Sequence, residues 1–472
     1  MPTDYGLDAP ARARLWARLQ ELVEEATQVG PDQPVARPPN MQKVDAVLHR
    51  LDASAPVDPV EALEAVAFGL ARQTVRTGHP RYFGLFNPAP SALGVAAEAL
   101  AAAFNPQLAT FAHAPLAVSA ERALVRDLGL RFGYDSACAG GGFTSGGAEA
   151  NHTALLLALV ARVPRFLEDG LVGAPARPLV YVSEETHPSV TRAVRLCGLG
   201  QASVRTVPAD AAGRMDSAAL AQAVAADRAV PGVAPLCVVA TAGATTCGAV
   251  DPLDALADVA AREDLWLHVD AAWGGLLALS ERTRGALDGI ARADSITFDP
   301  HKALAAPMGA GMLLTRRPEL LARAFAAEAA YMPHGRRLPD PYASGMAWSR
   351  RFVGLKVWLT LSVAGWAGVA EAVERQVLLG DYLRERLMRS RFAAVNQTPL
   401  PLVCAARTGS SSAFHRAIVA AVCESGAAWL TAPRWRGANV LRAAVVHHRT
   451  AEADVDALGD ALDAAAAKAD RV

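Results

Sequence analysis

Cysteine is scarce and shows no motif: six residues, at 138, 197, 237, 247, 404 and 423, with no C-x-x-C spacing. That scatter excludes a zinc ribbon or a disulfide framework and reads as reduced, mostly buried thiols in a cytoplasmic protein. An excess of one charge is lacking too, with 46 Lys+Arg against 47 Asp+Glu and no sustained basic run. Nucleic acid is therefore not expected as a main partner. No apolar stretch reaches about 20 residues without Gly, Pro or charge, so no membrane span is expected. The opening Met1-Pro2-Thr3-Asp4-Tyr5 lacks a basic segment followed by an apolar one, and no secretory signal is expected. Internal repeats and low-complexity tails are also absent.

What is there is a chain of 472 residues, long enough for two or three domains. Leu15, Leu19, Leu22 and Val23 recur at helical spacing among Arg and Glu, which predicts an amphipathic helix over 11–28. A Pro-rich stretch, 31–39, interrupts it. A second helix is expected over 59–73, with Asp58 as N-cap and Pro59 in the first turn. This first part, 1–78, carries no catalytic signal and reads as a helical segment serving assembly. From 79 to 365 short β-branched runs (179–182, 236–241 and 265–270) alternate with helical segments, which predicts a mostly parallel sheet with helices on both faces. The remainder, 366–472, follows a helix at 355–370 and holds two more helices (373–390 and 411–425). A strand at 440–446 and a terminal helix capped near Thr450 complete a small α+β domain.

In such sheets ligands sit beyond the carboxyl ends of the strands. His187, Thr245, Asp270 and Lys302 all fall just there. The pairing of His268-Val269-Asp270-Ala271-Ala272-Trp273 with Thr297-Phe298-Asp299-Pro300-His301-Lys302 is the most informative feature. A Lys ε-amine that can condense with an aldehyde, and an Asp that can keep a pyridine nitrogen protonated, are what an enzyme needs to hold pyridoxal phosphate. Either residue alone reads as a cap or a surface charge. The run Gly140-Gly141-Gly142-Phe143-Thr144-Ser145-Gly146-Gly147-Ala148 reads as a glycine-rich loop entering a helix at 150–162 and suited to an anion. Its spacing fits neither the dinucleotide nor the P-loop pattern. His187, in Glu185-Thr186-His187-Pro188, suits either a ring stacked on an aromatic cofactor or a cap before Pro.

With these segments in view the chain resembles the group II pyridoxal-phosphate-dependent amino-acid decarboxylases, from about Gly78-His79-Pro80-Arg81 to Arg442. The resemblance implies the type I fold of pyridoxal-phosphate enzymes, a mostly parallel, seven-stranded-type sheet between helices. It also implies a homodimer with shared active sites. By motif, Lys302 is then the cofactor-bonding lysine and Asp270 the pyridinium partner. His187 lies on one face of the ring and Ala272 on the other, and Thr245 supports both cofactor and His187. Gly146, Gly147, Ala148, Asp299 and His301 match the phosphate-binding positions. Arg442 stands near the substrate carboxylate, and Tyr331 is the loop residue that returns a proton to the α-carbon.

Several positions depart from the family pattern. Ala303 replaces the Trp that most relatives carry after the lysine, Ala244 replaces a Thr, and Asp299 stands where aromatic decarboxylases often place Asn. The pocket segment reads Leu85-Phe86-Asn87-Pro88 in place of Tyr-Phe-Pro-Thr. The expected activity is decarboxylation of an L-amino acid with an aromatic or modified side chain to an amine and carbon dioxide, in natural-product metabolism. The alternatives are oxygen-dependent conversion to an aldehyde, β-elimination on an S-substituted cysteine, transamination, and a cofactor-free scaffold.

Overall fold

The computed structural model describes residues 6–327 and 340–471. The chain forms two compact units: Pro90–Gly380 with Val395–Leu402, and Met1–Ala89 with Asp381–Ala394 and Val403–Val472. The expected boundaries at 78 and 365 fall inside these units. Backbone hydrogen bonds explain the grouping of the two chain ends. Val35 N–H donates to Gly426 O, Phe83 N–H to Trp429 O, and Ala444 N–H to Phe83 O. These pairings join segments hundreds of residues apart, a relation that local sequence patterns do not carry.

The larger unit is built on seven strands: β1 (Gly140–Thr144), β2 (Arg177–Ser183), β3 (Val204–Val207), β4 (Val233–Thr241), β5 (Trp266–Asp270), β6 (Ser295–Phe298) and β7 (Gly311–Thr315). Their spatial order is β1-β7-β6-β5-β4-β2-β3. β2 to β6 run parallel, whereas β7 is antiparallel to both β6 and β1. The expected runs 179–182 and 236–241 lie within β2 and β4, and 266–270 is β5. β5 is buried from end to end, as a parallel strand covered on both faces must be. One core cluster joins Val180, Val182, Val239 and Trp266 of the sheet to Leu155, Leu159, Val190 and Val194 of the covering helices. Each such side chain contributes about 1.5–3 kcal/mol by leaving water.

The glycine-rich run corrects the expected loop. Gly140–Gly142 belongs to β1, in register with β7. Gly141 has φ +145°, and a Cβ there would lie 2.0 Å from Leu313 O. The missing side chain serves a close strand approach. The helix begins at Gly147 and runs to Arg162, so the turn that faces outward shrinks to Ser145-Gly146.

The expected helix at 355–370 is part of the longer run Gly354–Met388, broken at Gly365 where φ is 63°. In the smaller unit the helix Pro59–Gln73 has the expected bounds, and Asp58 accepts from the N–H groups of Val60 and Glu61, a cap that contributes about 1 kcal/mol. Ala9–Thr27 is the first helix, and Met41–Arg50 adds one that the Pro-rich stretch had masked. Ser412–Ser425, Leu441–Ala444 and Glu452–Ala469 are the helix, strand and terminal helix of the C-terminal part.

Candidate active site

The parallel register sets Thr241 beside Asp270 and Asp270 beside Thr297 at the carboxyl edge of the sheet. Asp270, the last residue of β5, is buried. Its Oδ1 accepts the Ala272 N–H at 3.1 Å, and its Oδ2 accepts from Asn151 Nδ2 at 2.8 Å. Both carboxylate oxygens thus have a donor.

β6 ends at Phe298, and Asp299 then begins the single helical turn Pro300–Ala303 that carries Lys302. The Lys302 ammonium lies 2.9 Å from Asp299 Oδ2. Asp299 is only 1% exposed, and its Oδ1 has no hydrogen-bond partner among the described residues. A buried, unsatisfied carboxylate oxygen is costly, so this is a place where a donor is wanted. His301 is held from behind: its Nδ1 donates to Ala310 O at 2.7 Å. Burial lowers its pKa, with Asp299 opposing, so the neutral ring keeps Nε2 unprotonated, 3.8 Å from Asp299 Oδ2.

Gly146, Gly147 and Ala148 form the N-terminal end of the helix Gly147–Arg162, whose first N–H groups have no intrahelical partner. Gly147 faces Asp299, Ala272 and Thr297: a Cβ there would stand 3.1 Å from Asp299 Oδ2 and 3.3 Å from both Ala272 Cβ and Thr297 Cγ2. A Cβ on Gly146 would meet His301 Cε1 at 3.5 Å. These expected phosphate positions are thus one surface.

His187 caps the helix Pro188–Leu196 by accepting the Ser189 N–H on Nδ1. Because Nδ1 is an acceptor, the neutral imidazole of this exposed residue carries its proton on Nε2. Partial burial lowers its pKa, with Asp270 opposing. Capping and ring-stacking, offered as alternatives by the sequence, use different parts of the same side chain. Thr245 sits in the turn after β4, with its side chain exposed.

Four polar side chains without an assigned role complete this region. Asn151, Ser189, His268 and Thr297 are all buried. Asn151 Oδ1 receives Thr297 Oγ1 at 2.7 Å and His268 Nε2 at 2.9 Å, while its Nδ2 reaches Ser189 Oγ at 2.9 Å. One signal for His268 was legible: residues two apart on a strand share a face, so His268 and Asp270 point the same way.

Leu85, Phe86, Asn87 and Arg442 belong to the smaller unit. There the Arg442 guanidinium lies over the Phe86 ring, 4.6 Å from its centroid, and donates to Gly84 O. Tyr82 Oη donates to Asn87 Oδ1 at 2.7 Å, and its ring stacks on Trp429. Leu85 is half exposed. Tyr331 lies outside the described residues. A separate cavity of about 380 Å³, lined by the β1 glycines, Glu121 and Arg350 among others, touches none of the Lys302 set.

The residues present fit pyridoxal phosphate. A lysine amine stands ready for the aldehyde, a buried carboxylate for the ring nitrogen, and a side-chain-free helix start for the phosphate. The Asp299 carboxylate borders that cradle through Oδ2, the oxygen that also faces Lys302. Fold and site together define an enzyme whose chemistry depends on that cofactor. The chain belongs to the pyridoxal-dependent decarboxylase family, whose conserved-domain model matches residues 48–406. It is a pyridoxal-phosphate-dependent amino-acid decarboxylase, a carboxy-lyase.

It is 31% identical over 422 residues to the aromatic-L-amino-acid decarboxylase of Bacillus atrophaeus, covering 86% of each chain. It is 36% identical over 337 residues to the cysteine sulfinic acid decarboxylase of Mus musculus, covering 70% of this chain and 68% of that protein. Among solved structures, mouse CSAD superposes with a TM-score of 0.91 at 29% identity, over 98% of this chain and 99% of that one. Oryza sativa TDC, solved with PLP and tryptamine, superposes with a TM-score of 0.91 at 26% identity, over 99% and 100%.

Proposed function

We propose that this decarboxylase acts on an L-amino acid with a bulky, uncharged side chain, aromatic or modified, releasing the amine and carbon dioxide. The observation that carries this reading is the Phe86 ring laid on Arg442. A single guanidinium suits the α-carboxylate that every substrate has, and the segment Leu85-Phe86-Asn87 brings apolar and amide surface but no second cation for an acidic side chain. Alanine at 303 and 244 leaves room beside the lysine and in the β4 turn.

In this reading Lys302 anchors the cofactor and Asp270 holds a proton at the ring nitrogen. When bound, pyridoxal phosphate supplies the electron sink for the pair left as carbon dioxide departs. His187 would lie along one face of the ring and Ala272 along the other, with Thr245 supporting both cofactor and His187. Gly146, Gly147, Ala148, Asp299 and His301 surround the phosphate. Arg442 sets the α-carboxylate, and Tyr331 delivers the final proton to the α-carbon.

The protein is read as a cytoplasmic homodimer of natural-product metabolism. Trp16, Leu48, Phe68 and Phe104 leave large apolar surfaces exposed, Phe104 at 81%, as a chain that pairs with a copy would. Among the described residues no helix is long and apolar enough to cross a membrane. Light scattering tests the dimer.

The deciding experiment supplies the holoenzyme with aromatic amino acids, S-substituted cysteines, cysteine sulfinate and glutamate, identifying products by mass while following dissolved oxygen. An aromatic or modified amine without oxygen loss supports the reading. Turnover of cysteine sulfinate or glutamate alone overturns the side-chain assignment, and an aldehyde formed with oxygen uptake overturns the reaction type.

A further inference from the structure

The side chains behind Asp270 form a connected chain of hydrogen bonds. An ionised carboxylate only accepts, so Asn151 must turn its amide N–H toward Asp270 Oδ2, at 2.8 Å. The amide oxygen then faces Thr297 and His268, and His268 must donate through Nε2. Its Nδ1 lies 2.9 Å from Ser295 Oγ and 3.1 Å from Ser295 O. Ser295 Oγ in turn accepts the Trp266 indole N–H at 3.0 Å.

On the other side Asn151 Nδ2 donates its second proton to Ser189 Oγ, at 2.9 Å. Ser189 Oγ lies 2.8 Å from His187 Nδ1, the same atom that receives the Ser189 N–H. One amide therefore bridges the group that meets the ring nitrogen and the group that lies along the ring. All four hydrogen-bonding positions of Asn151 are used, and reversing the amide would set its oxygen against the Asp270 carboxylate and its N–H groups against the His268 Nε2 proton. Burial lowers the His268 pKa against the pull of Asp270, which favours the neutral ring.

We propose that Asn151 is a positioning residue that fixes the Asp270 carboxylate and, through Ser189, the His187 ring, so that the cofactor meets both in one preset arrangement. The inference rests on the roles proposed above for Asp270 and His187. Hydrogen bonds to a carboxylate are among the stronger ones, so their loss registers as fold-changes in cofactor binding.

Three variants test it: Asn151→Ala, Asn151→Asp and Ser189→Ala. Asn151→Asp keeps size and the acceptor for Thr297 and His268 but sets a second carboxylate against Asp270. Ser189→Ala removes the hydroxyl that joins Asn151 to His187 and leaves the Ser189 N–H bond to His187 Nδ1 and the Asn151 bond to Asp270 in place. Readouts are the dissociation constant for pyridoxal phosphate, the visible spectrum of the bound cofactor, kcat and KM separately, and the thermal transition of the apoprotein. Asn151→Asp is expected to weaken cofactor binding at least about tenfold and to shift the spectrum, with an apoprotein transition near that of the wild type. Ser189→Ala is expected to lower kcat several-fold with KM little changed. If Asn151→Ala fails to fold, the other two carry the test. Wild-type affinity and spectrum in Asn151→Asp, or wild-type kcat in Ser189→Ala, overturns the proposal. An Asp270→Ala control separates causes: if it too binds the cofactor normally, the role of Asp270 fails and the proposal with it.

Discussion

Lys302 Nζ and Asp299 Oδ2 face each other at 2.9 Å across one turn of helix, with the carboxylate almost wholly buried and the amine partly open. The pair holds the lysine at the sheet edge by a contact local in sequence, three residues apart. Lys302→Ala removes the only atom of this turn that can bond an aldehyde. The variant is expected to lose the cofactor's bound visible absorbance and to drop in activity by about a thousandfold or more. An unchanged spectrum would show that another lysine bonds the cofactor.

How much of this was legible follows from how local each feature is. Asp270 ends a strand and Lys302 follows one by a single helical turn, strands whose apolar, β-branched residues announce themselves, and Asp58-Pro59 marked a helix start to the residue. The Gly140–Gly142 strand was misread because glycine signals a turn by default, and what it serves here is the carbonyl of Leu313 on a neighbouring strand 172 positions after Gly141. Asn151 was passed over for a related reason. Its partners Ser189, His268 and Thr297 come from three other elements, and no spacing rule joins them.

Asp299→Asn keeps the shape of the turn while removing the charge that faces Lys302. Since the lysine is partly exposed, the pair is screened, and the apoprotein is expected to lose about 1 kcal/mol. Urea denaturation of the apoprotein measures it. A gain in stability would mean instead that the orphaned Oδ1 outweighs the pair.

Gly147 tests the phosphate surface. Its Cβ position is crowded by Asp299, Ala272 and Thr297 but clear of their backbone, so a single methyl is tolerated by small shifts. The branched side chain of Gly147→Val adds bulk where the phosphate is expected. Overpacking of this kind costs about 1–3 kcal/mol, and the dissociation constant for pyridoxal phosphate is expected to rise about tenfold or more. Equal affinity in Gly147→Val, by equilibrium titration, would place the phosphate elsewhere.

Arg442 is tied into its unit by its bond to Gly84 O and its stack on Phe86. Lysine reproduces the charge but neither the fork nor the planar stack. Arg442→Lys is therefore expected to raise KM about tenfold or more while the cofactor spectrum stays unchanged. A change confined to kcat would argue against a role in seating the substrate.

The buried histidines are expected to weaken the fold on acidification. His268 is 2% exposed, and burial lowers its pKa below the ordinary 6.5. His79, His301, His415 and His447 are also lowered, each chiefly by burial. Below about pH 6.5 the unfolded chain then binds more protons than the native one. Stability is full above that pH and is lost on acidification toward the folded values, by up to about 1.4 kcal/mol per pH unit for each histidine. His268→Gln retains a donor for Asn151 and cannot titrate. Its apoprotein is expected to start less stable at about pH 7.5, because an imposed amide fits the site less well, yet to lose less between about pH 6.5 and 5. Denaturation midpoints across that range decide the matter. Parallel slopes in variant and wild type would mean that His268 holds its proton equally in both states, and that a neutral His268 behind Asp270 is wrong.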